Sequence, residues 1–229
     1  MFRRVMGAGA LVLVAGLAVA GCAPVKAGAA AVVGNQRVTI ANLDTEASQL
    51  AAGAKKYPGV VNLTQQEITQ QTLSWLIRFK INDKIASQNG IRVTDAQWQQ
   101  ALKDVVQGQQ AQAAQQGLTG VTQEEVLVNA GIAPNLYPQV GRYVAIENAF
   151  LTSANGGVLP TTSSPNLSTL QNQFNQAQCQ AAKSLDINVN PQFGRLDYQN
   201  YAVVAGVDTL SRPSGPAAAV QSILVAPAC

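Results

Sequence analysis

Histidine, a side chain widely used for acid–base catalysis and metal binding, does not occur in this 229-residue sequence. Its absence excludes histidine-based triads, histidine general bases and histidine metal ligands. Four carboxylates, Asp44, Glu46, Glu124 and Glu125, fall in the first turns of predicted helices or on predicted surfaces. A negative side chain in a first turn stabilises the helix by itself, and we favour that role over a paired acid and base. We therefore expect no catalytic residues, no cofactor and no metal.

A cysteine at position 22 ends a stretch with the pattern of an export signal. Arg3 and Arg4 give it a positive start, residues 8–20 form an apolar core too short for a permanent span, and small residues precede the cysteine. The tetrapeptide Val-Ala-Gly-Cys at 19–22 resembles the lipobox of bacterial lipoproteins. That resemblance implies cleavage before Cys22, attachment of acyl chains such as palmitate, and stable anchoring at the extracytoplasmic face of the cell membrane. The alternative is an ordinary secretory signal that contains a cysteine by chance.

The other two cysteines, Cys179 and Cys229, are predicted to form one disulfide, because exported proteins fold in an oxidising compartment. Closing a loop of about 50 residues would add roughly 4 kcal/mol of stability in the chain-entropy model. Two free thiols are the alternative. A metal site is not expected from two cysteines without histidine.

Charged residues make up only 12% of the chain and apolar residues 47%, so neutral amides supply much of its polarity. The net charge is +3, and it falls to +1, from 13 basic and 12 acidic residues, once Arg3 and Arg4 leave with the signal. A chain this close to neutral offers no electrostatic basis for binding nucleic acid.

One long helix over residues 64–89 is the element around which the chain is predicted to fold. Thr64 and Glu67 have the spacing of a capping box, and Asn89-Gly90 is a typical helix end. Apolar residues form two adjacent stripes on this helix, Leu73, Ile77, Ile81 and Ile85 beside Ile68, Trp75, Leu76 and Phe79. An apolar arc this wide indicates packing on more than one side. The polar edge that includes Arg78 argues against a membrane span.

Caps, periodicity and turn residues predict the remaining elements. A hairpin over 29–40 turns at Gly34-Asn35. Helices are predicted at 40–57, from the capping boxes at Thr94 and Thr122, from Pro134 to about 153, and at 167–183. Apolar residues alternate strictly over 185–190 and predict a half-buried strand. This strand is expected to pair with the N-terminal hairpin, which is too small to be stable alone.

The predicted fold class is therefore mainly α, a multi-helix domain with a small β-sheet formed by the N-terminal hairpin and a C-terminal strand. Its predicted segments are a signal peptide at 1–21, a tether at 22–28, a helical domain at 29–153, a linker at 154–166, a helix and strand completing that domain at 167–197, and a weakly patterned tail at 198–229.

Three short motifs along the chain are informative as a set. They are Val-Val-Gly-Asn-Gln-Arg-Val-Thr at 32–39, Asn-Gly-Ile-Arg-Val-Thr-Asp at 89–95 and Ser-Leu-Asp-Ile-Asn-Val-Asn-Pro-Gln-Phe-Gly-Arg-Leu-Asp at 184–197. In this order they resemble the opening hairpin, the join between the second and third helices, and the closing strand of the SurA/PrsA-type foldases. Together with the lipobox, they make the chain most similar to the actinobacterial lipoproteins that carry a SurA N-terminal domain. The resemblance covers roughly residues 29–197 and implies a chaperone domain.

That family commonly inserts a parvulin-type prolyl isomerase domain between the N-terminal helices and the C-terminal helix. Here the corresponding place holds only the linker at 154–166, whose 13 residues cannot form a domain, which needs about 50 or more. The histidines of a parvulin site have no counterpart in this chain. The resemblance thus implies the chaperone part without the isomerase.

Three functions follow as hypotheses. The first is a membrane-anchored, ATP-independent chaperone, or holdase, that binds unfolded or newly exported polypeptides through apolar patches. The second is a specific adaptor or structural lipoprotein for one cell-envelope partner, and promiscuity towards unrelated clients separates the two. The third and least favoured is a peptidyl-prolyl isomerase. For the chaperone, Trp75 and Trp98 are candidate client contacts, although packing in the core is the favoured role for both.

Overall fold

A computed structural model of the chain describes residues 27–58 and 62–206. The described part is mainly helical and contains two small antiparallel sheets. The strands are Ala29–Val33 (β1), Gln36–Thr39 (β2), Ile187–Val189 (β3), Arg195–Asp197 (β4) and Ala202–Val204 (β5). The α-helices are Ile40–Lys56 (α1), Gln65–Gln88 (α2), Asp95–Gln115 (α3), Gln123–Asn129 (α4), Tyr137–Ala154 (α5) and Leu167–Ser184 (α6), and a 3-10 turn at Pro134–Leu136 precedes α5. The predicted mainly α class is confirmed.

Helix α2 begins and ends where its sequence predicts and lies in the core. The Thr64 hydroxyl accepts from the Glu67 N–H and the Glu67 side chain bonds back to Thr64, which completes the predicted capping box. Leu73, Ile77 and Ile85 are fully buried. The helix packs against α1, α5, α6, β1 and β5, so the wide apolar arc is covered from several sides. In the ranges 27–58 and 62–206, no helix is long and apolar enough to cross a membrane.

The other predicted caps form, with one exception. Thr39 caps α1, and Thr94 with Gln97 makes a second complete capping box at the start of α3. At α4 the Thr122 hydroxyl accepts from the Glu125 N–H, but the return bond from the Glu125 side chain is missing. The prediction of a third capping box is therefore correct for the Thr122 cap and wrong for the reciprocal bond from Glu125.

The N-terminal sheet has the order β2-β1-β3, with all pairs antiparallel. Val33 of β1 lies opposite Ile187 of β3, and Ala31 lies opposite Val189. The Gly34 N–H donates to the Leu185 carbonyl, which fixes the turn of the hairpin against the entry to β3. The predicted pairing of the N-terminal hairpin with a C-terminal strand is confirmed.

A second sheet follows where the sequence predicts no element. Strands β4 and β5 pair antiparallel, with Leu196 opposite Val203, and the turn between them carries Tyr201. Tyr201 is 1% exposed and Val203 is 5% exposed, and β5 lies against α2. We refer to residues 193–204 as the C-terminal hairpin. The sequence does not show whether the weakly patterned tail completes the core, and the structure shows that Tyr201 and Val203 do so, whereas residues 205 and 206 are exposed.

Candidate functional site

Three polar side chains on one edge of α2 hold the C-terminal hairpin. Gln70, Ser74 and Arg78 are spaced four residues apart, so they lie on one face of the helix. Each makes a hydrogen bond to the hairpin, and every hairpin atom involved is a main-chain N–H or carbonyl. We call these three residues the α2 docking edge. Three of these atoms belong to turn residues and one to strand β5, and none of the four bonds depends on a side chain of the hairpin.

The first two members of the docking edge bind the two arms of the hairpin near its open end. The Gln70 amide donates to the Phe193 carbonyl at 3.2 Å. The Ser74 hydroxyl accepts from the Val203 N–H at 2.7 Å and donates to the Gln70 carbonyl at 2.6 Å. Ser74 thereby satisfies a buried backbone donor that would be costly to leave without a partner.

Arg78 contacts the turn of the hairpin with two of its nitrogens. Its Nε donates to the Tyr201 carbonyl at 3.2 Å, and its Nη2 donates to the Asn200 carbonyl at 2.9 Å. The guanidinium also lies over the ring of Trp75, 5.1 Å from the ring centre. Burial lowers the pKa of Arg78, and no carboxylate within residues 27–58 and 62–206 forms an ion pair with it. The sequence places Arg78 on a solvated polar edge, and the structure corrects this because the hairpin covers that edge.

An aromatic cluster lies beneath this contact. The rings of Trp75 and Phe79 lie 5.7 Å apart, and Tyr143 of α5 packs edge-on to Trp75 at 6.0 Å. The Tyr143 hydroxyl accepts from the Gln178 amide at 2.8 Å, which links α5 to α6, and burial raises its pKa. The site therefore combines a polar edge for the main chain with an apolar, aromatic floor.

The hairpin is docked with identifiable strain. Tyr201 has a φ of 46°, in the left-handed region that non-glycine residues rarely adopt. Its buried hydroxyl has no hydrogen-bond partner, and burial raises the pKa of Tyr201 to about 12. Gly194 has a φ of 124°, and a Cβ there would lie 2.1 Å from the Val204 carbonyl oxygen. Only glycine fits this close approach without displacing β5.

Glu147 is the carboxylate most strongly perturbed in this region. It lies on α5, one turn after Tyr143, and it is partly exposed. Burial raises the pKa of Glu147 to about 7, and no positive side chain in the described part of the chain pairs with it. Glu147 is thus a group whose charge changes near neutral pH, close to the aromatic floor.

Asn82 lies on the next turns of α2 and faces a small depression. Its amide nitrogen donates to the Tyr143 carbonyl at 2.8 Å, while its buried Oδ1 has no partner. The rim carries an ion pair between Arg142 and Asp83 at 3.1 Å, whose side chains are both about 40% exposed. Phe79, Gln139 and Ile146 also line this depression. It is small, and its lining residues do not form a group that could carry out a reaction.

The two tryptophans occupy different environments. Trp75 is 2% exposed, and its indole N–H donates to the Ala130 carbonyl at 3.2 Å, so it occupies the core position favoured by the sequence. Trp98 is partly buried, and its indole N–H donates to Asp95 at 3.1 Å. The main-chain carbonyl and the ring of Trp98 pack against Gly141 of α5, where a Cβ would lie 2.4 Å from that carbonyl oxygen. In this conformation only Trp98 presents part of its ring to solvent.

Of the three cysteines, only Cys179 lies within the residues that the structure describes. Cys179 lies on α6 and is disulfide-bonded. Cys22, the predicted lipid attachment site, and Cys229, the predicted disulfide partner, lie outside the described residues, so both assignments stay predictions. Within the described ranges no group of three or more acidic or cysteine side chains could hold a metal ion.

Glu46 and Glu124, two of the four carboxylates considered in the sequence analysis, make contacts that the sequence did not predict. Glu46 is 7% exposed, which corrects its expected place in a first turn or on a surface. It faces the 3-10 turn, where Asn135 bonds to it, and burial raises its pKa. Glu124 accepts from Lys56 and from the Tyr57 hydroxyl at 3.1 Å, which joins α1 to α4. Both contacts are structural.

The docking edge was missed by sequence reasoning. Gln70, Ser74 and Arg78 look like solvent-facing residues beside an apolar arc, and their partners lie more than 120 residues away. The regular four-residue spacing of neutral or cationic hydrogen-bonding groups next to that arc was the available signal. Searches with protein-family models, among curated proteins and among solved structures find no match to this chain.

Proposed function

We propose that this chain is an ATP-independent holdase of the SurA N-terminal type, which binds unfolded or newly exported polypeptides. The observation that supports this proposal best is the α2 docking edge, whose side chains bond to the C-terminal hairpin only at main-chain atoms. Every polypeptide has such atoms, so a surface of this kind suits clients of unrelated sequence. The resemblance of three sequence motifs to the SurA/PrsA-type foldases adds independent support.

The described surface carries few charges and few large exposed apolar side chains. The latter lie in loops and turns: Leu118, Val158, Leu159 and Tyr198. They do not by themselves supply the apolar patches that a holdase needs, so the proposal depends on the docking edge. The whole chain is only 12% charged. Binding by such a surface depends little on ionic strength, since screening acts mainly on charge pairs.

The membrane anchor is part of the same proposal. Acylation of Cys22 would hold the chain at the extracytoplasmic face of the cell membrane, where exported polypeptides emerge unfolded. Changing Cys22→Ser should move the protein from the membrane fraction to the soluble extracytoplasmic fraction. Mass spectrometry of the native protein should show acyl chains on residue 22 in the unaltered chain and none in the variant. An unacylated native Cys22 would refute the anchor.

Light scattering tests the holdase directly. A soluble form that begins after Cys22 is mixed with two unrelated proteins that aggregate on unfolding, at low and at high salt. We expect suppressed aggregation of both proteins, with little change between the salt conditions. Suppression of neither would refute the holdase and leave the specific adaptor for a cell-envelope partner as the remaining reading.

A proline-limited refolding assay tests the expected absence of isomerase activity. We expect the refolding rate of a substrate with a slow prolyl step to be unchanged by the protein, while a parvulin added as a positive control accelerates it. Acceleration by this chain would show a catalytic site that neither the sequence nor the described structure indicates.

A further inference from the structure

We infer that the C-terminal hairpin is an intramolecular occupant of the client-binding site, and that a client segment displaces it from α2. This inference rests on the proposed holdase function and names the site and its regulation. The ligand class is an unfolded polypeptide segment that can turn as the hairpin does, bound by the α2 docking edge and the aromatic floor under it.

The main-chain contacts define the first requirement on a ligand. The docking edge donates to the Phe193, Asn200 and Tyr201 carbonyls and accepts from the Val203 N–H. Another segment that follows the same path would offer the same three acceptors and one donor. Nothing in these four bonds requires the hairpin's own sequence.

The buried side chains define the second requirement. Tyr201 and Val203 are two residues apart, and both are buried. Tyr201 is the last turn residue before β5 and Val203 lies within β5, so both side chains reach the core from adjacent positions of the hairpin. The site therefore favours segments that can bury one aromatic and one β-branched side chain two residues apart.

The hairpin is poorly adapted to remain docked. Its turn residue Tyr201 holds a left-handed φ of 46° and a buried hydroxyl without a partner. Its docking also buries the Arg78 guanidinium without a carboxylate. The unpartnered hydroxyl and the buried guanidinium oppose docking, whereas the left-handed φ is a property of the hairpin's own turn. A segment without a buried hydroxyl therefore competes with the hairpin.

A hydrogen-bonded turn joins the hairpin to β3. Strand β3 is fixed by pairing with β1, and the Asn190 N–H donates to the Ala30 carbonyl. The chain then turns at Pro191, whose carbonyl accepts from the Gly194 N–H at 3.2 Å. Rotation at this turn would release residues 193–204 and leave the N-terminal sheet intact.

The test uses a substitution within the hairpin itself to release it from α2. Gly194→Ala places a methyl group against the Val204 carbonyl and leaves α2 unchanged. Gly108→Ala, at a helical glycine with open space around it, is the matched control. Hydrogen exchange of residues 193–206 in the full mature chain, without reductant, reports whether the hairpin is released. Tyr201→Ala, which removes the buried anchor, serves as a second releasing variant.

The binding probe is a fluorescent synthetic peptide with the sequence of residues 193–206. We expect it to bind Gly194→Ala at least tenfold more tightly than it binds the unaltered chain or Gly108→Ala. The double variant Gly194→Ala/Ser74→Ala should lose at least half of that gain, measured as the change in log Kd for the peptide. A peptide carrying Y201A and V203A should bind no better to the releasing variant than to the control.

Two results would overturn the inference. One is a hairpin released by hydrogen exchange with no gain in peptide affinity in either releasing variant. The other is exchange of residues 193–206 only through global unfolding in the unaltered chain and in both variants. Light scattering with the same proteins separates this inference from the holdase itself. Peptide binding without suppressed aggregation refutes the holdase alone, and equal suppression by all variants without peptide binding refutes the inference alone.

Discussion

The two β-structures that contact α2 are stabilised in different ways. In the N-terminal sheet, β1 is the central strand, pairs on both edges and has Ala29, Ala30 and Ala31 fully buried. In the C-terminal hairpin, the two short strands pair only with each other, and side chains of α2 satisfy main-chain groups instead of a third strand. The N-terminal sheet has a left-handed non-glycine residue of its own, Asp186 with a φ of 44° just before β3, so the feature that it lacks is a buried hydroxyl without a partner, as found at Tyr201.

This difference bears on the inferred release of the hairpin. A strand paired on both edges cannot leave without breaking two ladders of main-chain hydrogen bonds. The hairpin is held by three side chains of α2 and by the buried Tyr201 and Val203, and it has no third strand. If the inference holds, the hairpin opens as a unit with a free energy below that of global unfolding, while the N-terminal sheet opens only with the core.

The largest predicted effect concerns the helix that both structures share. Ile77 is fully buried on α2, so Ile77→Ala should lower the free energy of unfolding by about 2–5 kcal/mol through lost contacts and a cavity. Denaturant titration should show the loss, and hydrogen exchange should show weaker protection in both β-structures. Leu118→Ala, at a side chain 57% exposed, should change stability by less than about 0.5 kcal/mol. Loss of protection in one structure only would contradict a shared core.

The next effect is a pH dependence that arises near the hairpin's floor. The pKa of Glu147 is raised to about 7 from its ordinary value of 4.5 by burial. The folded state therefore binds this proton more tightly than the unfolded state, and stability is highest below about pH 4.5 and falls as the pH rises to about 7. The full shift would correspond to roughly 3 kcal/mol, which we reduce to about 2 kcal/mol because the side chain is partly exposed.

Glu147→Gln should remove that fall and make the protein more stable than the unaltered chain above pH 7. Unfolding titrations from pH 4 to pH 8 measure it. Glu67→Gln is the control, because the pKa of Glu67 is lowered by its bonds to Thr64 and its contribution has the opposite sign, being lost as the pH falls. The capping box tolerates glutamine, as Gln97 shows at α3. A fall in stability that persists in Glu147→Gln would refute the assignment.

A matched pair of valines compares the two β-structures directly. Val33 of β1 is 1% exposed and Val203 of β5 is 5% exposed, so Val→Ala removes the same buried groups from each. Val33→Ala should lower the free energy of unfolding by about 2 kcal/mol. Val203→Ala should lower it by less than half of that, since its loss cannot exceed the docking free energy of the hairpin. Equal losses in denaturant titrations would show that the hairpin unfolds only with the core.

The same contrast explains what could be predicted from the sequence. The capping box at Thr64 and Glu67 and the turn at Gly34-Asn35 depend on residues a few positions apart, and both were predicted correctly. The pairing of β3 was predictable because its alternating pattern and the unstable lone hairpin required each other. Trp75 was placed in the core because it lies within a wide apolar arc.

The C-terminal hairpin could not be predicted for the opposite reason. Its strands are three residues long, as β3 is, but its apolar residues Leu196, Tyr198, Tyr201 and Val203 do not keep one alternating run such as that over 185–190. Its docking depends on Arg78 and Tyr201, which are 123 residues apart in the sequence. The missing half of the capping box at Glu125 is a smaller failure of the same kind, because spacing alone does not decide what a side chain contacts.

The smallest predicted effect isolates the hydrogen bond between α2 and the hairpin. Ser74 and Thr72 are both buried, and each donates its hydroxyl to the carbonyl four residues earlier. Only Ser74 also accepts from the Val203 N–H. Ser74→Ala should leave that buried donor without a partner and cost roughly 1–2 kcal/mol of docking free energy.

Hydrogen exchange of the Val203 amide is the measurement that resolves this bond. Ser74→Ala should speed its exchange by about tenfold or more, because 1.4 kcal/mol corresponds to a factor of ten in an opening equilibrium. Thr72→Val, the control, removes a hydroxyl that does not touch the hairpin and should leave the Val203 rate relative to core amides unchanged. Equal changes in both variants would mean that the hairpin responds to α2 as a whole, and the docking edge would then be part of the core rather than a separable contact.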